Sequence, residues 1–147
     1  MYLFEKITRD DNDIFDSWLK CKNINKWLGG IDDWYKYFDF VDSNPDYFLI
    51  KFLFENKIIG VIGLEFGEQT ENIILIMVNP EEQNKGHGKK ILSLFLRQIN
   101  KIIKRDIKCI HAYVDPNNIA SRRCFKSCGF EYMGLDDEDM EEYICNL

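Results

Sequence analysis

Apolar residues fall along this chain in two rhythms, one of period two and one of helical spacing. Residues 2–7 alternate well enough for a first strand. Behind the N-cap candidates of residues 8–13, Ile14, Phe15, Trp18 and Leu19 recur on one helical side. Trp34, Tyr35, Phe38 and Val41 repeat the figure after Asp32 and Asp33 and stop before Asn44-Pro45, with Gly29-Gly30 separating the two helices. Residues 47–54 and 58–66 are dense in β-branched and aromatic side chains around the polar turn Glu55-Asn56-Lys57, which is the pattern of a hairpin. A turn at 67–70 leads into a fourth strand, 73–78. Helical spacing returns with Ile91, Leu92, Phe95, Leu96, Ile99, Ile102 and Ile103, a stripe that can cover a sheet face. Residues 108–114 read as a strand, Asp115-Pro116-Asn117-Asn118 caps a short helix through Ser127, and Gly129 closes it. Residues 130–133 and 141–147 add two strands around an acidic loop. The pattern predicts an α+β fold: a mixed, mostly antiparallel sheet of about seven strands, helices on both faces, and one βαβ-like crossover. All of it fits one domain over 1–147.

Composition narrows the function classes. With 46% hydrophobic and 14% aromatic residues the chain can bury a substantial core. Acidic side chains outnumber basic ones, 25 to 19, for a net charge of −6, which disfavours nucleic acid as a partner. The carboxylates gather near both ends, as solvated loops or as an acidic approach for a cationic amine. The first residues carry charge from Glu5 onward, and no apolar run nears the roughly 20 residues of a membrane span, so a cytoplasmic protein with no membrane partner is expected. The five cysteines show no C-x-x-C pair, and the expectation is reduced thiols, no disulfide framework and no metal. Cys124 and Cys128 share a helical side and read as packing.

The segment with the most chemistry is Val78-Asn79-Pro80-Glu81-Glu82-Gln83-Asn84-Lys85-Gly86-His87-Gly88-Lys89. A strand stops at Pro80, a glycine-bearing turn comes next, and a helix opens at or near Gly88. Converging backbone N–H groups, glycines that keep Cβ atoms away, and a helix N-terminus make an anion cradle, supplemented by Lys85, Lys89 and Lys90. A diphosphate-bearing cofactor suits it. The dinucleotide fingerprint G-x-G-x-x-G fails because Ile91 stands where a small residue is needed. The P-loop fails because position 83 is Gln and position 90 is Lys.

Two motifs in order, Val78-x-Pro80-x-x-Gln83-x-x-Gly86-x-Gly88 and Asn118-x-x-Ser121-x-x-x-Phe125-x-x-x-Gly129-Phe130, resemble the GNAT superfamily of acetyl-CoA-dependent N-acetyltransferases. The likeness covers nearly the whole chain in element order and its motifs lie within 73–130. It implies acetyl-CoA as co-substrate, with its pyrophosphate on Gln83, Asn84, Lys85, Gly86, His87, Gly88 and Lys89. It also implies a pantetheine arm paired with main chain at Met77 and Val78, Asn118 beside that arm, and Phe125 at the thiol end. A main-chain N–H at Met77 or Val78 becomes the oxyanion donor. The acceptor is then a primary amine of a small molecule or peptide, and the enzyme a monomer or homodimer.

The resemblance leaves two chemical gaps. Many relatives place a proton-donating tyrosine where Phe125 stands, which leaves water, Tyr132 or another residue to serve the departing thiolate. Some carry a glutamate where Asn72 stands, with Glu71 adjacent but on the other face of the strand. Glu65, a carboxylate inside an apolar strand, is the preferred base. The alternative is that it lies on the solvent face. His111, with Tyr113 on the same face, can act through water or simply pack. Trp27, Trp34 and Tyr35 wall the acceptor site or fill the core. The rival to an active enzyme is a module of the same fold that binds acyl-CoA without turnover and serves as a sensor or partner-binding protein.

Overall fold

The computed structural model describes residues 1–28, 30–67 and 70–147; Gly29, Glu68 and Gln69, which belong to two of the expected turns, lie outside the described residues. Strand β1 is Tyr2–Lys6. A 3-10 turn, Arg9–Asp11, leads into helix α1, Asn12–Leu19, followed by a short helix α2, Lys22–Asn25, and by α3, Trp34–Asp42. Strands β2 (Tyr47–Phe54), β3 (Lys57–Phe66) and β4 (Glu71–Val78) form a meander. A second 3-10 turn, Pro80–Glu82, precedes α4, His87–Ile103. The chain closes with β5 (Cys109–Val114), α5 (Ile119–Ser127), β6 (Glu131–Leu135) and β7 (Glu141–Asn146).

Local chemistry explains most boundaries. The Asp33 carboxylate accepts hydrogen bonds from Tyr35 N and Lys36 N at the start of α3, and Asn118 Oδ1 accepts from Ser121 N at the start of α5. Gly86, at φ +82°, makes the left-handed step that lets α4 begin one residue before the expected Gly88. Helix α2 has no counterpart in the hydrophobic pattern, because four residues are too few to show a periodicity.

The seven strands form one sheet in the order β1-β2-β3-β4-β5-β7-β6, antiparallel throughout except between β4 and β5, so the fold is the mixed α+β sheet anticipated. Two buried clusters sandwich it. On one face Ile91, Leu92, Phe95, Ile99 and Ile103 of α4, with Phe125 of α5, pack on Phe52, Ile62, Ile110 and Tyr143. On the other, Phe15, Trp18, Trp34 and Phe38 from α1 and α3 cover Leu49, Val61, Leu75 and Met77. Each fully buried side chain of this kind contributes roughly 1.5–3 kcal/mol. The second cluster draws on β2, β3 and β4 but on none of β5 to β7, so the α1–α3 layer ends at β4.

Two irregularities at β4 open the sheet. Gly63 faces Leu75 while Leu64 faces Ile73, so Ile74 is an extra residue, a β-bulge that puts Ile74 and Leu75 together on the α1–α3 face. Parallel pairing with β5 consists of Asn72 opposite His111 and Ile73 opposite Ala112. From Ile74 onward β4 has no partner on that side, and the two strands enclose a wedge.

Candidate active site

The wedge opens toward the turn and first helical residues beyond β4. There the N–H groups at the start of α4 have no intrahelical acceptors, and the helix dipole adds positive potential. The Lys90 N–H already bonds to Gly86 O, at 3.2 Å. A shallow cavity of about 270 Å³ lies against this turn, lined by Gly86, Lys89, Lys90, Ser93, Leu94 and Arg97. Its three cations form an electropositive strip beside the orphan amides. Gly60 sets the helix here: a Cβ at that position would sit 2.7 Å from Met77 O and 2.8 Å from Ile91 Cδ1, so a glycine lets α4 approach the sheet.

The expected cradle residues divide into those that face the opening and those that brace it. Lys89 is exposed along the cavity, and Asn84, at φ +62°, and Gly86 give the loop its left-handed steps. Gln83 folds back so that its Nε2 donates to Val78 O at 3.4 Å. His87 is a brace: Tyr2 Oη lies 2.7 Å from its Nδ1, and Glu82 Oε2 lies 3.4 Å from its Nε2. Glu82 also takes hydrogen bonds from Lys57 at 2.8 Å and Lys85 at 3.1 Å, and these hold its carboxyl down at about 2. Lys85 is thus engaged beneath the loop.

The direction of the β4 amides is set by a single bond. Asn79 N donates to Ile59 O at 2.7 Å, and the ladder alternates with period two, so Met77, in phase with Asn79, turns its N–H toward β3. Val78 and Ile76 turn theirs toward the wedge. Of the two anticipated main-chain donors, Val78 faces the opening and Met77 does not; Ile76, which no sequence motif marks, takes its place nearer the bulge.

Across the closed end of the wedge runs a row of polar side chains that no stretch of sequence contains. Register places Tyr47 opposite Glu65, Glu65 opposite Asn72, and Asn72 opposite His111. His111 Nδ1 reaches Glu142 Oε1 at 3.3 Å. Leu64, Ile73, Ile110, Ala112 and Tyr143 belong to the α4 cluster, so alternation puts Glu65, Asn72, His111 and Glu142 on the α1–α3 face, where that layer ends. Glu65 therefore sits half-buried on a covered face. Tyr47 and Tyr37 stand over it: burial first, then the hydrogen bond with Glu65, pushes the Tyr47 hydroxyl up, and burial first, then Tyr47 and Glu65, pushes Tyr37 to about 12. Asn72 Nδ2 donates to Thr70 Oγ1 at 3.1 Å, whereas its Oδ1 is buried with no donor. Glu71 points to the opposite face and lines a separate cavity of about 390 Å³ at the far end of β4.

Several anticipated residues have structural partners of their own. Phe125 is 5% exposed and packs edge-on against Phe130, with ring centroids 4.9 Å apart, so it fills the α4 side. Asn118 spends its carbonyl on the α5 cap. Trp34 is fully buried and donates to Asn12 Oδ1 at 3.0 Å, Tyr35 is exposed and donates to Asp13 at 2.6 Å, and Trp27 lies under Lys26. Tyr132 is exposed on β6. Tyr143 donates to Glu141 at 2.7 Å beneath Phe125, where Arg122 Nε approaches the same carboxylate at 2.7 Å without hydrogen-bond alignment. Among the described residues no group of three His, Cys, Asp or Glu could hold a metal ion, and no helix is long and apolar enough to cross a membrane.

Comparison with known proteins agrees with this fold. A sequence model described as the acetyltransferase (GNAT) family matches residues 7–130. No curated protein matches the chain by sequence. An aminoglycoside acetyltransferase solved with coenzyme A superposes over 99% of this chain and 95% of its own, with TM-score 0.81 and 16% identity. A spermidine N-acetyltransferase from Vibrio cholerae, solved with CoA and spermine, does so over 99% and 95%, with TM-score 0.83 and 16% identity. A Bacillus halodurans protein described as uncharacterized reaches 0.84 at 19% identity, over 99% of this chain and 83% of that one. At these identities the likeness is one of fold.

Proposed function

The chain belongs to the acetyltransferase (GNAT) family, and on that premise we propose that it transfers the acetyl group of acetyl-CoA directly to a primary amine of a small molecule or peptide. The observation that carries the reading is the wedge: β4 and β5 part after Ile73 and Ala112, and the gap opens onto the orphan amides of α4. Backbone N–H groups of residues 83–89, with the Lys89 ammonium, suit a pyrophosphate. The outward main-chain N–H groups of Ile76 and Val78 suit an extended pantetheine arm, and one of them suits the oxyanion of a thioester under attack.

Glu65 is the carboxylate we assign to draw in a cationic amine and take its first proton, since it lies half-buried at the edge of the α1–α3 layer, opposite Tyr47 in register. Two relatives of this fold act on cationic amines, an aminoglycoside and spermidine, and the acidic net charge of this chain agrees with such an acceptor. The reaction calls for no metal, and we assign the protein to the cytoplasm.

The test is calorimetric titration with acetyl-CoA followed by thiol release over a panel of spermidine, kanamycin and peptide amines. Saturable binding with turnover of one amine class is expected. Absence of binding removes the reading, and binding without turnover on any amine favours the sensor module, for which an amide in place of a carboxylate at Asn72 is the specific argument.

A further inference from the structure

We propose that His111 is the acid–base residue of acetyl transfer and that Glu142 is the positioning residue that fixes its tautomer; this rests on the acetyltransferase reading above. His111 stands opposite Asn72 in the second rung from the opening, directly behind the Ile73–Ala112 rung that closes the wedge. From Val78 at the mouth to Ile73 at the closed end is five residues at ~3.3 Å each, roughly 17 Å. An extended arm anchored at the cradle therefore delivers its reacting end against the Ile73–Ala112 rung, one residue from Asn72 and His111.

The ring's protonation pattern is dictated by its partner. An ionised carboxylate only accepts, so Glu142 Oε1, 3.3 Å from His111 Nδ1, places the hydrogen on Nδ1 and leaves the Nε2 lone pair available. Among the described residues Nε2 has no partner. Beside it in register stands the buried Asn72 Oδ1, an acceptor without a donor. Two acceptors on paired residues, Nε2 and Oδ1, match in number the two hydrogens of a primary amine whose lone pair points at a carbonyl carbon. The charged and titratable groups facing the imidazole are Glu142 from β7, Glu65 from β3 beyond Asn72, and the exposed Tyr113 two residues along β5, whose hydroxyl is pushed up by burial and then by Glu142 and Asp136.

The step balances on one residue. After one proton has left the ammonium for Glu65 or water, the nitrogen bonds to the acetyl carbon and the C–S bond breaks with its electron pair on sulfur. The surplus proton on nitrogen passes to His111 Nε2, and the imidazolium gives it to the thiolate. Imidazole, amide and free thiol result. This cycle supplies the proton that the departing thiolate needs.

His111→Gln is expected to lower kcat about 100- to 1000-fold with spermidine, with acetyl-CoA affinity and melting temperature close to wild type, and to remove the acid limb of the pH profile of kcat/KM. Glu142→Gln is expected to cost about tenfold and Glu142→Asp less. Turnover by His111→Gln within threefold of wild type overturns the proposal. If the wild type acetylates no amine, the acetyltransferase reading fails separately, and nitrogen-15 NMR of the imidazole still decides the arrangement. An Nδ1–H tautomer, lost in Glu142→Gln, supports it; an Nε2–H tautomer in the wild type overturns it.

Discussion

The cradle before α4 and the polar row across the sheet are the two ends of one wedge, and they are built by opposite means. The cradle is contiguous: a dozen residues from Val78 to Lys89 hold the geometry through two left-handed steps and a knot of ion pairs under Glu82. The row takes one residue or so from each of five strands, Tyr47, Glu65, Asn72, His111 and Glu142, and exists because the strands register as they do. A contiguous site recognises what is common to a cofactor; a site assembled across strands can change its chemistry by single substitutions without disturbing the loop.

The largest effect should come from the residue that seats α4 on the sheet. Gly60→Val drives a branched side chain into Met77 O and Ile91, and the collision with backbone cannot be relieved by rotamer choice. Denaturant unfolding should show a loss of about 3 kcal/mol, with binding and turnover failing together. Gly86→Asp should separate the ends. The space around its Cβ is open, so the damage comes from the positive φ and from a carboxylate set among the cradle amides. Calorimetry should show acetyl-CoA weakened by about 2 kcal/mol, or roughly 30-fold, while kcat at saturation stays near wild type. Unchanged affinity would detach the loop from the cofactor.

Legibility divides along the same line. The cradle is readable from sequence because glycine spacing, a strand-stopping proline and a helical stripe are local signals, and all seven strands emerge from alternation with ends off by a residue or two. The 3-10 turn at Pro80–Glu82 sits unannounced inside that loop, since three residues carry no period. The family resemblance marks Met77 and Val78 without knowing which amides point outward; that depends on the pairing phase with β3, and on a bulge at Ile74 that one more apolar residue in an apolar run does not reveal. Glu65 stands out as a carboxylate in an apolar strand, but its neighbours Asn72 and His111 are brought beside it by registers no single strand encodes. Phe125 illustrates the converse: motif spacing puts it at the thiol end, while packing against Phe130 and Tyr143 puts it in the core.

A third substitution probes the row with the cradle intact. Glu65→Gln keeps the shape and the partner Tyr47 but removes the charge, so kcat/KM for a cationic amine should fall about tenfold, ~1.4 kcal/mol, with acetyl-CoA affinity unaltered. An equal loss with a neutral-pH and an alkaline assay would mean that Glu65 contributes neither charge attraction nor proton removal, since both matter less once the amine arrives deprotonated and uncharged.

The smallest effect belongs to the brace. Glu82 has its carboxyl lowered to about 2, first by the hydrogen bond from Lys57 and then by that from Lys85. A depressed carboxylate pKa contributes stability that is present above the ordinary value near 4.5 and is lost as the pH falls toward about 2. Glu82→Gln should therefore flatten the acid side of the stability curve between those values and leave it unchanged near neutrality in shape, with salt reducing the difference because these charges meet solvent. Since Glu82 also faces His87 Nε2 and Lys85, the same variant frees the loop's lysine toward the phosphates. Acetyl-CoA affinity at neutral pH should hold or rise slightly while the polar row keeps its rate. A fall in kcat at saturating acetyl-CoA would show that the two ends of the wedge are mechanically coupled through β4, and the division between a local cradle and a register-built row would have to be abandoned.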